Sequence, residues 1–234
     1  MKLEHTHAET VRMMHEMSYQ DMNAFSSFTV NRRKKGNSTW DNLFNYSMTD
    51  KQNLAFTRYD YGAVAHQEYE YMVIINTTDG NKIQGEIISV APVYSGFLFM
   101  DREKAYVSHL DTKCTHQRDF NIAFIKPYNS RFPHAIRNGE LNSNTGTFEG
   151  MFNRLDEHCE FEKSYASFEN SLIDFLSRGT NKIMKTPDGH LWSVQINTPI
   201  TVGQADFEGA VKIQFSWTEV GEPTEMDMTS GVPR

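Results

Sequence analysis

Cysteine and histidine are the residues of this sequence whose chemistry most invites a metal site. Two pairs stand out, Cys114 with His116 and His158 with Cys159. Together they could supply two thiolates and two imidazoles, the donor set of many structural zinc sites. Adjacent His158 and Cys159 make a poor chelating pair, because such sites usually separate their ligands by turn residues. We therefore predict two ordinary buried thiols and two surface imidazoles, and no metal or other cofactor.

The histidines near the N-terminus make a weaker metal candidate. His5 and His7 face the same way only if that segment is extended, and His15 stands well beyond them in the sequence. No cysteine and no close third ligand completes a zinc set. We predict no metal site in this segment either.

Acidic side chains gather in a second stretch where chemistry is conceivable. Calcium loops place Asp or Asn at alternating positions around a Gly turn, and this stretch lacks that pattern. A glycosidase needs two carboxylates at a defined separation across a sugar site, and no such separation can be read from the spacing. A solvated acidic edge is the better interpretation. The residues are Asp156, Glu157, Glu160 and Glu162.

Motifs of the common enzyme classes are missing from the sequence. It contains no G-x-S-x-G, no G-x-x-x-x-G-K-[ST], no H-E-x-x-H and no G-x-G-x-x-G. Aromatic residues could instead stack on sugars, but aromatics at alternating strand positions are more often core or subunit interface. We therefore expect a protein that is not an enzyme. The aromatic positions are Tyr59, Tyr61, Tyr69, Tyr71, Trp192 and Trp217.

Composition narrows the class of protein further. Hydrophobic residues make up 38% and aromatic residues 12% of the chain, which is typical of a globular protein. The formal net charge of −7 argues against a general nucleic-acid binder. No apolar run approaches the ~20 residues of a membrane span, and no secretion signal is readable. We expect synthesis in a reducing cytoplasm and no nucleic-acid or membrane partner.

The N-terminal segment carries a ragged helical stripe that includes Val11, Met14 and Met17. The stripe predicts an N-terminal helical arm over residues 1–24, which would dock on a neighbour through its narrow apolar face. A partly ordered terminal arm is the alternative.

Two Asp-Gly turns predict hairpins. Thr77-Thr-Asp-Gly80 lies between alternating strands, and Thr186-Pro-Asp-Gly189 joins residues 182–185 to a strand that carries Trp192. In the last predicted strand, four apolar residues alternate strictly with polar ones, which predicts one buried face. Those four are Val211, Ile213, Phe215 and Trp217.

A helix is predicted over residues 164–178. Ser167 would be its N-cap and Gly179 its C′ residue.

Between these regions, residues 126–163 are rich in Asn, Gly and Pro and predict a long loop that reaches partners. The organisation is then a helical arm, a β-rich structural domain over residues 25–221, and a disordered tail over residues 222–234. The candidate assembly-interface residues are Met13, Met17, Arg131, Phe132 and Arg137.

Two segments resemble structural proteins of bacteriophage tails and baseplates, from phages of Gram-positive bacteria. One runs from Ser164 to Glu222 and combines "FLSRG", "NKIMKTPDGHLWSVQI" and "VKIQFSWTEVGE". The other is "LDTKCTHQRDFNIAFIKPYNSRFPHAIRNGE", Leu110 to Glu140. Together they cover 90 of the 234 residues, and the N-terminal hundred residues or so are not matched.

The resemblance implies a mainly β fold with flanking α-helices, a β-barrel or β-sandwich of the tail-tube or distal-tail type with extended loops. It also implies a virion subunit without catalysis that forms a symmetric ring at or near the tail tip and contacts other tail proteins. The alternative function is a host cell-surface glycan-binding module of the tail, with Trp192 or Tyr128 at the glycan.

Overall fold

The computed structural model describes residues 2–6, 10–16, 25–47, 55–153, 165–204 and 210–223. These residues are mostly in β-strands, with a single α-helix among them, so the prediction of a mainly β fold is confirmed. The helix is too short to cross a bilayer, and no other described segment is a helix of the length and apolarity that would do so. From residue 224 onward, the predicted tail lies outside the described residues.

The chain divides into two compact units where the sequence predicted one β-rich domain over residues 25–221. The first unit comprises Met1–Ser95, Lys185–Leu191 and Pro223–Arg234. The second comprises Gly96–Met184 and Trp192–Glu222.

The first unit contains two antiparallel sheets. Its strands are β1 (Lys2–Thr6), β2 (Thr10–Glu16), β3 (Phe25–Lys34), β4 (Asp41–Ser47), β5 (Ala55–Asp60), β6 (Tyr69–Thr77), β7 (Lys82–Gln84) and β8 (Ile88–Val90). One sheet has the order β1-β2-β5, and the other has the order β4-β3-β6-β7 with β8 also paired to β6. The β6–β7 hairpin and its Thr77–Gly80 turn confirm the sequence prediction.

The predicted N-terminal helix is wrong for the described residues. β1 pairs with β2 from Lys2↔Met14 to Thr6↔Thr10, and β2 pairs in turn with β5. Pairing with a distant strand overrides a weak local helix preference, since tertiary context routinely outweighs propensity. Residues 17–24 of the predicted arm lie outside the described residues.

A buried ion pair lies in the first unit. Arg32 Nη1 donates to both carboxylate oxygens of Asp60 at 2.8 Å, and the Tyr71 hydroxyl donates to Asp60 Oδ2 at 2.6 Å. Burial raises the pKa of Tyr71 well above its ordinary value, and the Asp60 carboxylate adds to that rise. The carboxylate is thus saturated with donors, as a buried charge requires.

The second unit is built on a closed barrel with the strand order β10-β11-β14-β13-β12-β9. Its elements are β9 (Phe97–Met100), β10 (Ala105–Ile125), β11 (His134–Asn153), α1 (Tyr165–Ser177), β12 (Lys182–Lys185), β13 (Leu191–Gln204) and β14 (Ala210–Gly221). A barrel is one of the two architectures predicted, although the prediction placed it in a single domain over residues 25–221.

Aromatic side chains fill the core of this unit. The ring of Phe99 lies 4.8 Å from that of Phe148 and 5.5 Å from that of Phe215, edge to face in both cases. In β14 all four predicted core residues are buried, with exposures of 0–2%. The alternation in the sequence therefore identified the buried face correctly.

The helix α1 packs on this core as predicted, through Phe168, Leu172, Phe175 and Leu176. Gly179 has φ +70°, which confirms it as the C′ residue. Ser167 lies inside the helix, so its prediction as N-cap is wrong.

The largest difference from the sequence prediction is β11. Residues 126–163 were expected to form a loop, but His134–Asn153 is a strand of 20 residues paired with β10 and β14. Its glycines fit close contacts between neighbours. A Cβ at Gly146 would lie 2.0 Å from the carbonyl oxygen of Thr115 and 2.9 Å from Cζ2 of Trp217. At this position glycine allows close packing between strands, whereas the sequence pattern alone indicated a turn.

The close approach at Gly146 predicts a large effect of a single methyl group. Gly146→Ala should lower the free energy of unfolding by about 1–3 kcal/mol or more, because backbone and indole must both move. Gly221→Ala is the matched control, since a Cβ there meets nothing within 4 Å, and should change stability by less than about 0.5 kcal/mol. Urea unfolding of both variants checks this, and equal midpoints would contradict the packing described.

Candidate assembly surface

Two strands of the barrel are much longer than their neighbours. β10 has 21 residues and β11 has 20, against the usual 3–10 or so in a globular protein. β11 is paired with β14 only over Thr145–Asn153. Beyond that point, β10 and β11 pair only with each other among the described residues. We call residues 120–137, the distal part of this hairpin, the arm; it is a different segment from the N-terminal helical arm that the sequence predicted.

Large apolar side chains are concentrated on the arm. Of the thirteen large hydrophobic side chains that are exposed among the described residues, seven lie within it. Tyr128 at the tip is fully exposed, at 101%. A monomer of a soluble protein rarely leaves so many neighbouring apolar groups in water without a function for them. The seven are Phe120, Ile122, Phe124, Ile125, Tyr128, Phe132 and Ile136.

These side chains lie on both faces of the hairpin. Phe124 pairs with Ala135, and directly cross-strand residues share a face. The next pair, Ala123 with Ile136, therefore lies on the opposite face. Because the arm has only two strands, neither face is covered from within. A two-stranded ribbon is marginally stable in water unless something packs on it.

The arm is also basic. Lys126, Arg131 and Arg137 are its charged residues, and it contains no Asp or Glu. The guanidinium of Arg131 lies 5.6 Å from the ring centre of Phe132, and that of Arg137 lies 5.8 Å from the ring centre of Phe120. Taking these three cations from the formal net charge of −7 leaves −10 on the rest of the chain. Charge thus separates into a cationic, apolar arm and an anionic remainder.

A polar clamp fixes the base of the arm to the barrel. Both the backbone N–H and the side-chain amide of Asn144 donate to Glu219 Oε2 on β14, at 2.8 and 2.6 Å. Thr145 Oγ1 donates to Asp119 Oδ2 at 3.0 Å across the hairpin. Asn144 is 4% exposed, so Glu219 supplies the acceptor for a buried amide. The clamp therefore fixes the base of the arm to β14 within the second unit.

Three of the five predicted interface residues lie in the arm, namely Arg131, Phe132 and Arg137. Met13 lies on β2 and is not brought to them by any described pairing, and Met17 lies outside the described residues. Sequence reasoning missed the apolar residues of the strands. Their signal was the run from Ile122 to Ile125 followed directly by Lys126 and Pro127, in a stretch without Asp or Glu from Phe120 to Arg137.

The other predicted sites give a mixed result. Cys114 is half-buried and packs against the core of the second unit, and His158, Cys159 and the acidic stretch lie outside the described residues. Among the described residues, no group of three or more His, Cys, Asp or Glu is placed to hold a metal ion. Trp192 and Trp217 are core residues, stacked with their rings 5.1 Å apart.

Comparisons with known proteins identify no family. No family model matches the sequence, and no curated protein matches it. The chain is similar to a chain of a solved structure described as "Virion of native gene transfer agent (GTA) particle", at 13% identity. The likeness covers 54% of this chain and 92% of that one, with a TM-score of 0.33. A likeness this weak carries no argument about function, which rests below on the chain's own residues.

The clamp predicts a specific loss of stability. Glu219→Ala removes the acceptor of two Asn144 N–H groups and should lower the free energy of unfolding by about 1–3 kcal/mol. Glu222→Ala, an exposed carboxylate at the end of the same sheet, is the control and should change it by less than about 0.5 kcal/mol. Thermal or urea unfolding measures both. If the two variants match, Glu219 does not fix the arm.

Proposed function

We propose that the protein is a non-enzymatic structural subunit of a phage tail or baseplate, which assembles into a symmetric ring through its arm. The observation that carries the proposal is the set of seven exposed apolar side chains on a two-stranded hairpin. Other copies of this chain would cover the arm in the ring, and neighbouring tail proteins would contact the assembled subunits at or near the tail tip.

Burial supplies the driving force for this assembly. Removing apolar surface from water stabilises a complex by roughly 25 cal/mol per Å². The arm offers its apolar residues on both faces, so a partner on each side gains from contact. A surface that meets a different surface on the next copy generates a ring when the rotation closes. An arm docking on the body of its neighbour is a contact of this kind.

Charge supports a second copy as the occupant of the arm. The arm carries three cations and no acid, and the rest of each chain carries a formal charge of −10. Opposite potentials steer association and suppress wrong pairings. The same attraction weakens with added salt, because exposed charges are screened within about 10 Å at 0.1 M ionic strength.

The assignment to a phage tail comes from the sequence resemblance over Ser164–Glu222 and Leu110–Glu140. The second of these segments contains the whole arm, so the residues that carry the resemblance include those that carry the exposed surface.

A matched pair of double variants tests the role of the arm. Ile122→Ser/Ile136→Ser removes two arm residues with exposures of 44% and 46%. Ile83→Ser/Ile87→Ser removes two isoleucines of the first unit with exposures of 47% and 46%. We expect the arm variant to dissociate at least about tenfold more readily in sedimentation equilibrium, because each isoleucine contributes roughly 1 kcal/mol when buried. The control should assemble like the unchanged protein.

Two results would contradict the proposal. One is an unchanged protein that stays monomeric at every concentration, and the other is equal weakening of assembly by both double variants. Negative-stain images of the assembled protein should show closed rings, and open filaments or irregular aggregates would argue against the symmetric ring.

A further inference from the structure

A second feature of the barrel is a cleft on its sheet, separate from the arm. It has a volume of about 480 Å³, within the usual range of ligand sites, roughly 300–1,000 Å³. Strands β10, β11, β14 and β13 contribute its lining. We infer that this cleft binds a neutral oligosaccharide. The inference does not depend on the proposed assembly through the arm.

Hydroxyl and amide side chains form two rows across the cleft. The strand register places Thr115 beside Thr147, Thr147 beside Ser216, and Ser216 beside Asn197. A parallel row runs from Gln117 through Thr145 to Thr218. These residues alternate with the buried Phe215 and Trp217 along β14, so they lie on the outward face of the sheet.

The lining of the cleft, all of it within the described residues, contains no Lys or Arg to attract an anion, and no Asp or Glu. His116 also lines it, and the neighbouring Asp119 carboxylate already accepts from the lining residues Gln117 and Thr145. An anionic ligand would lose hydration without gaining a Lys or Arg partner. A nucleic-acid strand would find no cation for its phosphates. The chemistry of the lining therefore selects a ligand that is polar and uncharged.

The Thr and Ser hydroxyls of the cleft are suited to bind sugar hydroxyls, because each of these groups can both donate and accept a hydrogen bond. Each Thr or Ser offers one donor and two acceptor lone pairs. Neighbouring side chains already hold one another in place, with Thr115 Oγ1 2.8 Å from Thr147 Oγ1 and Asn197 Nδ2 donating to Thr218 Oγ1 at 3.0 Å. These pairs use only part of the hydrogen-bonding capacity of the side chains. A ligand would therefore meet donors and acceptors that are already oriented.

An extended peptide fits the cleft less well than a sugar. β-Strand addition needs a free sheet edge, where backbone groups are unpaired. β11 and β14 each have a strand on both sides within the closed barrel, so their backbone groups are already in ladders. Only side chains remain to bind a ligand here.

The cleft lies over the aromatic core of the barrel. Gly146 and Trp217 are cross-strand partners on the face opposite the hydroxyl rows, and the fully buried Trp217 ring is stacked on Trp192. The sheet beneath the cleft is therefore held by tight packing on its inner side.

The test is a titration of the full-length protein with maltohexaose and, separately, with chitohexaose, followed by calorimetry and by amide chemical shifts. We expect saturable binding of at least one of them, with shifts centred on the cleft. Thr147→Val/Ser216→Ala should weaken that binding about tenfold or more, since two partners of the ligand are lost. Thr201→Val, a hydroxyl exposed on β13 outside the lining, is the control and should bind like the unchanged protein.

Unfolding midpoints of these variants show whether each still folds. Failure of both sugars to bind would overturn the inference, as would full affinity in Thr147→Val/Ser216→Ala. The arm variant Ile122→Ser/Ile136→Ser should keep the affinity of the unchanged protein while losing assembly. Loss of sugar binding and loss of assembly are therefore observed separately.

Discussion

A two-stranded β-ribbon pairs only the backbone groups that face its partner strand, and it has no interior in which to bury side chains. The arm of this protein is such a ribbon, and its apolar residues alternate onto both faces. Its stability in water therefore depends on a surface that the described chain does not supply. The roles of the barrel and of the clamp follow from this constraint.

The barrel holds the base of the arm in a fixed position. β10 and β11 continue from the aromatic core into the arm, with a register shift at its base, where Phe120 pairs with Asn142 and Ile122 pairs with Arg137. Phe148 and Phe152 on β11 are fully buried within that core. The clamp from Asn144 to Glu219 lies where β11 leaves β14. A rigid anchor lowers the conformational entropy lost on docking, because less of the arm has to be ordered.

Much of the second unit was predictable from sequence, because local signals and tertiary packing agree there. In β14 the alternation of Val211 to Trp217 matches burial, and Gly179 ends the helix as its position indicates. Where only non-local pairing decides, the sequence prediction was wrong. The segments 2–6 and 10–16 are strands through their pairing, and β11 is a strand although its Asn and Gly content suggested a loop. Of the arm, Arg131, Phe132 and Arg137 were predicted as interface residues, but its exposed apolar side chains were not. Their exposure depends on how β10 and β11 pair beyond the barrel, which local sequence does not reveal.

Hydrogen–deuterium exchange at a series of protein concentrations tests most directly whether the arm is buried by another copy. Amides of residues 122–125 and 134–137 should exchange more slowly as concentration rises, while those of the barrel core, such as Phe148 and Phe215, should not change. Slower exchange follows from covering the ribbon, whose opening free energy is low when it is alone. Exchange in the arm that is fast and independent of concentration throughout would contradict the account.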